Sequence, residues 1–198
     1  MKGLCGMLEM DKNAVEGLYE ATLESESIFE GRVLSVRRDK VKLLDGSTAM
    51  REVVGHNGAV CIVALKDNGN VILEYQYRYA VGERTLEIPA GKLDSPDEDP
   101  ESAARRELRE ETGAVAGKLT YLGQYFGAPA ILGERVYMYL AEELSFSCCD
   151  YDEGEFMVLT EMPLCEAAKL AMTGELTDGK TQAAILRVYL LKQKEFEK

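Results

Sequence analysis

The segment Arg106-Glu107-Leu108-Arg109-Glu110-Glu111-Thr112-Gly113 gathers the side chains of this sequence best suited to chemistry. Glu107 and Glu111 are four positions apart and Glu110 is three from Glu107, so a helix would place them on one face. Like charges at that spacing repel unless something cationic sits between them. Near a helix C-terminus they also oppose the macrodipole. A hard divalent cation relieves both penalties, and Mg²⁺ favours a few carboxylates completed by water and phosphate oxygens. Taken alone, the same residues also read as a solvated acidic helix end.

The elements that must position this cluster follow from hydrophobic period and turn chemistry. Pro100 to Thr112 has helical spacing, with Ala103, Ala104 and Leu108 on one side and Gly113 as the stop signal. Two further helical patterns cover Leu164 to Met172 and Thr181 to Lys194. Strands are expected from Phe29 to Val54, broken at Asp45-Gly46-Ser47, and at Arg84 to Ile88, Leu119 to Phe126, Arg135 to Glu142 and Phe156 to Thr160. Ala59 to Leu65 and Val71 to Tyr75 flank Asn68-Gly69, which predicts a hairpin. Mixed strands with few helices point to an α+β sandwich in which helices cover a curved sheet.

With 198 residues the chain can bury a sizeable core, and one domain with an N-terminal extension is the simplest division. A net charge of −12 argues against a surface that coats nucleic acid. It leaves room for a small phosphorylated ligand bridged by metal ions. No apolar run approaches the roughly 18 residues of a membrane span, and Glu9 and Asp11 follow too soon for a signal peptide, so a cytoplasmic location is expected. Cys5, Cys61, Cys148, Cys149 and Cys165 contain no C-x-x-C pair, and His56 is the sole histidine. Zinc sites and histidine-based triads therefore lack material.

Gly91, Glu98 and Arg106-Glu107-Leu108-Arg109-Glu110-Glu111-Thr112-Gly113-Ala114 resemble the Nudix box, G-x5-E-x7-R-E-U-x-E-E-x-G-U, where U is bulky and aliphatic. One extra residue precedes Glu98, in Lys92-Leu93-Asp94-Ser95-Pro96-Asp97, where turn chemistry should absorb it in a loop. Ala114 is small for its position. The resemblance implies a Nudix-type α/β/α sandwich with a mixed curved sheet. It also implies that Glu107 and Glu111 bind Mg²⁺, with Mn²⁺ as a substitute. Glu110 would take a second ion or its water, the Ala90 carbonyl would add a ligand, and Arg106 would orient a box carboxylate through a bidentate pair.

Outside the box, Gln76-Tyr77-Arg78-Tyr79 and Leu86-Glu87-Ile88-Pro89-Ala90-Gly91-Lys92-Leu93-Asp94 resemble the ADP-ribose pyrophosphatase branch of that superfamily. The likeness implies diphosphate and sugar contacts from Arg51 and Arg78, and further substrate contacts from Pro129 and Glu134. The loop Asp152-Glu153-Gly154-Glu155-Phe156 resembles the one carrying the branch's general base, which favours Glu155, with Glu153 as its competitor. Base stacking would fall to Phe29 or Tyr77, since the chain has no tryptophan. Lys180 in Thr177-Asp178-Gly179-Lys180-Thr181 resembles a motif before the last helix, where helix capping is expected. The implied activity is hydrolysis of a nucleoside diphosphate sugar, foremost ADP-ribose, with GDP-mannose as the enzymatic rival and a noncatalytic ADP-ribose sensor as the alternative from another class. The branch further implies a homodimer, residues 1–55 forming an extension and possible dimerisation arm and 56–198 the hydrolase domain.

Overall fold

A computed structural model describes residues 17–147 and 156–196. They fall into two compact units, one holding the chain up to His56 together with Ala130–Leu132, the other holding Asn57–Pro129 and the chain from Gly133 onward.

The first unit is an antiparallel meander of β1 (Ala21–Glu30), β2 (Ser35–Lys42) and β3 (Thr48–Gly55). Asp45 turns the chain between β2 and β3 by accepting a hydrogen bond from the Ser47 backbone N–H at 2.9 Å, while Gly46 adopts φ 85°. Expected strand structure began at Phe29, but β1 starts at Ala21. Thr22 to Ser27 carries no apolar alternation to betray it, because both faces of β1 are largely exposed. Asp39 is buried on β2. Hydrogen bonds from Ser25, at 2.6 Å, and from Arg37, at 2.8 Å, hold its carboxyl below the usual range.

The second unit contains two sheets. One has the order β7-β4-β9-β8, built from β4 (Ala59–Ala64), β7 (Ala90–Lys92), β8 (Ala114–Tyr125) and β9 (Val136–Phe146). β4 runs parallel to β9 and antiparallel to β7, so this sheet is mixed. The other is antiparallel, with β5 (Asn70–Arg78) between β6 (Glu83–Glu87) and β10 (Met157–Pro163).

β4 lies at the centre of the unit and is apolar on both faces, as a strand covered on both sides must be. Its Val60, Ile62 and Ala64 pack with Ala103, Ala104 and Leu108 of helix α1 (Pro100–Thr112). Its Cys61 and Val63 pack with Ala167 and Ala168 of α2 (Leu164–Thr173) and with Ala184, Ile185 and Val188 of α3 (Gly179–Phe196). The layers are therefore helix, sheet, helix, which is the α+β sandwich expected. Burial pushes the Cys61 thiol up to about 12, so this cysteine serves as a small hydrophobe.

The expected hairpin around Asn68-Gly69 is only partly realised. The turn forms, with the Lys66 N–H donating to Asn70 O at 2.8 Å and the Gly69 N–H to Lys66 O at 2.9 Å. Beyond a single bridge between Leu65 and Val71, however, β4 and β5 part into different sheets. β4 satisfies its backbone on β7 and β9 instead, and so it has no edge left for β5.

Candidate active site

Local sequence fixes α1 at both ends. The Asp99 side chain accepts from the Ser102 N–H at 2.9 Å, Pro100 occupies the first turn, and Gly113 closes the helix at φ 68° with its N–H on Arg109 O. The helix then buries Ala103, Ala104 and Leu108, and its period carries Glu111 onto the same buried side, 5 % exposed. A carboxylate so placed needs a donor. It accepts from the Ala90 backbone N–H of β7 at 3.0 Å, which ties the helix to the strand that leads into the box.

The next residue of that strand explains the glycine of the box. A Cβ at Gly91 would lie 1.9 Å from the Glu107 carboxyl carbon, so the missing side chain lets the Glu107 carboxylate lie where it does. Glu107 and Glu111 thus both lie against the Ala90–Gly91 backbone, from successive turns of α1.

Arg106 is the hub of the remaining acids. Its Nη1 donates to Glu107 Oε1 at 2.7 Å and to Glu110 Oε2 at 3.1 Å. Its Nε and Nη2 approach Glu98 at 3.4 and 3.3 Å, and Nη2 also donates to Lys92 O at 3.2 Å. The guanidinium spans several carboxylates, and on Glu98 its Nε meets Oε1 at 3.4 Å while its Nη2 meets Oε2 at 3.5 Å, a long two-pronged contact. Burial opposes its charge, but Glu107 and Glu110 outweigh burial and hold its pKa raised. Glu98 in turn accepts from the Asp94 N–H at 2.6 Å and closes the loop with its own N–H on Ser95 O at 3.2 Å. The extra residue before Glu98 therefore sits in a loop, and the register of α1 is untouched.

Among the described residues, no three acidic, histidine or cysteine side chains converge on one point in a metal-binding arrangement. The cation that Glu107 and Glu110 require between them is, in this structure, Arg106. The donor set nonetheless suits a hard divalent ion: three carboxylates from one helix face against a backbone whose Cβ is missing where Glu107 lies.

A second ionic cluster lies in the same unit. Arg78 closes β5, and its Nε and Nη2 donate to the two oxygens of Glu87 at 2.7 Å each. Glu87 is 1 % exposed and also accepts from Thr85 and Lys180. Lys180 reaches Asp178 at 3.0 Å, and Asp178 caps α3 by accepting the Thr181 N–H at 2.9 Å. Thr181 Oγ1 accepts from the Ile88 N–H at 3.0 Å. Burial alone would raise the Glu87 carboxyl, but Arg78, Lys180 and Thr85 bring it down to about 2. Glu74 faces Glu87 across the ladder and is fully buried.

The expected capping before α3 is thus made by Asp178, while Lys180 turns inward to Glu87. Sequence reasoning assigned no role to Glu87 or Asp178. Glu87 sits between Leu86 and Ile88 in a strand, a pattern that reads as a residue on a solvent face.

The other candidates are distributed as follows. Arg51 lies on β3 in the first unit, where Glu20 holds its Nε at 2.9 Å and Nη2 at 2.7 Å. Phe29 is exposed in that unit. Pro129 is exposed in a turn, and Glu134 is half-buried before β9. Tyr77 alternates with Gln76 and Arg78 and so projects from the opposite face of its sheet to Arg78. Glu153 and Glu155 lie outside the described residues.

A helix bearing box carboxylates against a Gly strand, within a helix–sheet–helix sandwich, defines a Nudix domain. The family profile described as NUDIX domain matches residues 55–175, and one described as nucleoside diphosphate sugar hydrolase N-terminal domain matches residues 20–54. The chain belongs to the Nudix hydrolase family. It is 40% identical over 173 residues to an ADP-ribose pyrophosphatase of Bacillus subtilis, covering 86% of this chain and 93% of the relative. It is 39% identical over 171 residues to an ADP-ribose pyrophosphatase of Mycobacterium tuberculosis, covering 85% and 82%. A crystal structure of an ADP compounds hydrolase superposes with a TM-score of 0.79 at 25% identity, covering 89% of this chain and 95% of the other. Nudix hydrolases are in general dependent on a divalent metal. No helix among the described residues is long and apolar enough to cross a membrane.

Proposed function

We propose that this chain hydrolyses the pyrophosphate bond of a nucleoside diphosphate sugar, foremost ADP-ribose, giving AMP and ribose 5-phosphate. The observation that carries this reading is the set of carboxylates on α1, with Glu107 and Glu111 against Ala90–Gly91 and Glu110 beside Arg106. The substrate is supported by relatives that bear the ADP-ribose name and match nearly the whole chain.

Glu107, Glu110, Glu111 and the Ala90 carbonyl would hold Mg²⁺, or Mn²⁺ in its place. When bound, the ion neutralises the diphosphate, orients its oxygens and lowers the pKa of an attacking water. Water oxygen then bonds to one phosphorus while the bond from that phosphorus to the bridging oxygen breaks, and the bridging oxygen leaves on the other phosphate. Attack at either phosphorus gives the same two products. Arg106 keeps the box carboxylates apart and oriented, and Arg78 and Arg51 bind the diphosphate and sugar. Pro129 and Glu134 contact the substrate, and Glu155, or Glu153 beside it, takes the proton from water. Residues 56–198 form the hydrolase domain. Residues 1–55 are an arm through which two copies pair, in a homodimer acting in the cytoplasm.

Turnover of ADP-ribose, GDP-mannose and UDP-glucose with Mg²⁺ tests the choice. ADP-ribose should show the highest kcat/KM; cleavage of GDP-mannose without ADP-ribose turnover would remove it as substrate.

A further inference from the structure

The cluster around Glu87 is unusual in burying a carboxylate under two cations from different elements. Glu87 belongs to β6, Arg78 to the end of β5 and Lys180 to the first turn of α3. A buried ion pair needs close geometry and further hydrogen bonds to offset desolvation, and each oxygen of Glu87 has more than one donor. Oε1 accepts from Arg78 Nε and Thr85 Oγ1, and Oε2 from Arg78 Nη2 and Lys180 Nζ.

Two consequences follow for Arg78. First, its guanidinium plane is set by two parallel bonds on a carboxylate that cannot turn, because Thr85 and Lys180 hold it from the other side. Second, the Arg78 side chain is still 40% exposed, and its Nη1 has no partner among the described residues. One edge of the fork is anchored and the other is presented. A single Arg on a single carboxylate would be neutralised by it. Here Lys180 shares the charge of Glu87, and the first-turn N–H of Thr181 shares the charge of Asp178 at the helix N-terminus. The Nη1 edge of Arg78 is therefore the one open to an anion.

We propose that Lys180 is a positioning residue for substrate binding: through Glu87 it orients Arg78 toward the diphosphate. This rests on the reading that Arg78 binds the diphosphate of the substrate. Lys180 touches Glu87 and Asp178 and none of the box carboxylates, so its effect is expected on binding.

A double-mutant cycle on KM tests it. Lys180→Met keeps the chain length and removes the charge. It should raise KM roughly tenfold, the lower end of what losing a supporting partner behind a ligand costs, with kcat within about twofold of wild type. In an Arg78→Ala background the same change should move KM by less than about twofold, because the residue it acts through is gone. Equal effects in both backgrounds, or an unchanged KM in Lys180→Met, overturn the proposal. Should Lys180→Met fail to fold, Thr85→Val removes one hydrogen bond from the same carboxylate without altering charge. Its KM increase, expected at about threefold, must likewise vanish in Arg78→Ala. The cycle is run on whichever nucleoside diphosphate sugar the wild type cleaves. Preference for GDP-mannose would overturn the ADP-ribose reading and leave the cycle intact, because the diphosphate is common to both.

Discussion

Two clusters of charge in the same unit of the molecule are built on opposite plans. Around Arg106, the acids Asp94, Glu98, Glu107 and Glu110 lie within ion-pair distance of one guanidinium, and Glu111 is held one turn on by a backbone N–H. Around Glu87, the two cations Arg78 and Lys180 both contact Glu87, with Asp178 on Lys180 and the buried Glu74 opposite Glu87 on the neighbouring strand. The first set has a deficit of positive charge. In the second, two cations converge on one buried carboxylate. A deficit of this kind is tolerated where a ligand cation completes it, whereas cations closed on a buried carboxylate fix geometry. The difference separates the groups proposed to bind a metal from those that hold Arg78 in place.

The largest expected effect comes from the unbalanced cluster. Glu111→Gln keeps an oxygen for the Ala90 N–H and so preserves the fold, but it removes a charge from the proposed metal ligands. We expect kcat to fall on the order of 10²- to 10³-fold, the usual loss for one group that stabilises developing charge. At a hundredfold excess over Kd, Mg²⁺ should stabilise the wild type by about 2.7 kcal/mol, read as a rise in Tm, and the variant by far less. Equal stabilisation of both proteins would assign the metal elsewhere and erase the contrast between the clusters.

The Glu87 cluster should show itself in acid. The Glu87 carboxyl titrates at about 2 in the folded chain, below its ordinary value of 4.5. A depressed carboxylate stabilises the fold fully above about pH 4.5, and that contribution is lost as pH falls toward about 2. The shift corresponds to about 3 kcal/mol. In urea melts, wild type should lose this much more stability than Glu87→Gln between pH 5 and pH 2. Parallel curves for the two proteins would mean that Glu87 is no better partnered than an exposed glutamate.

Legibility in the sequence differed between these clusters for a physical reason. The α1 cluster is local: caps, period and spacing all lie within Gly91 to Ala114, and the structure places the helix where those signals put it. The Glu87 cluster joins residues 78, 87 and 180, and nothing in a period-two strand says that its polar side is covered by the start of a helix ninety residues on. Strand β7 was missed because three residues carry no period, and β1 because it is exposed on both faces. Parting of β4 from β5 was hidden by a strong turn signal, which fixes the turn and not the ladder beyond it. Membership of the family was readable from the box; the support behind Arg78 required the tertiary structure.

The smallest effect concerns the far end of the unbalanced helix. Asp99 caps α1 through Ser102, and its carboxyl is held low by the backbone and side-chain hydrogen bonds from that residue. Asp99→Ala should lower Tm by roughly 2–4 °C, as loss of one cap does in a domain of this size, while kcat stays within about twofold. Glu107, Glu110 and Glu111 lie two to three turns away, and their placement comes from Ala90, Gly91 and Arg106, not from the cap. Loss of activity in step with the loss of Tm would show instead that the whole helix, and not its contacts with β7, sets the position of the carboxylates.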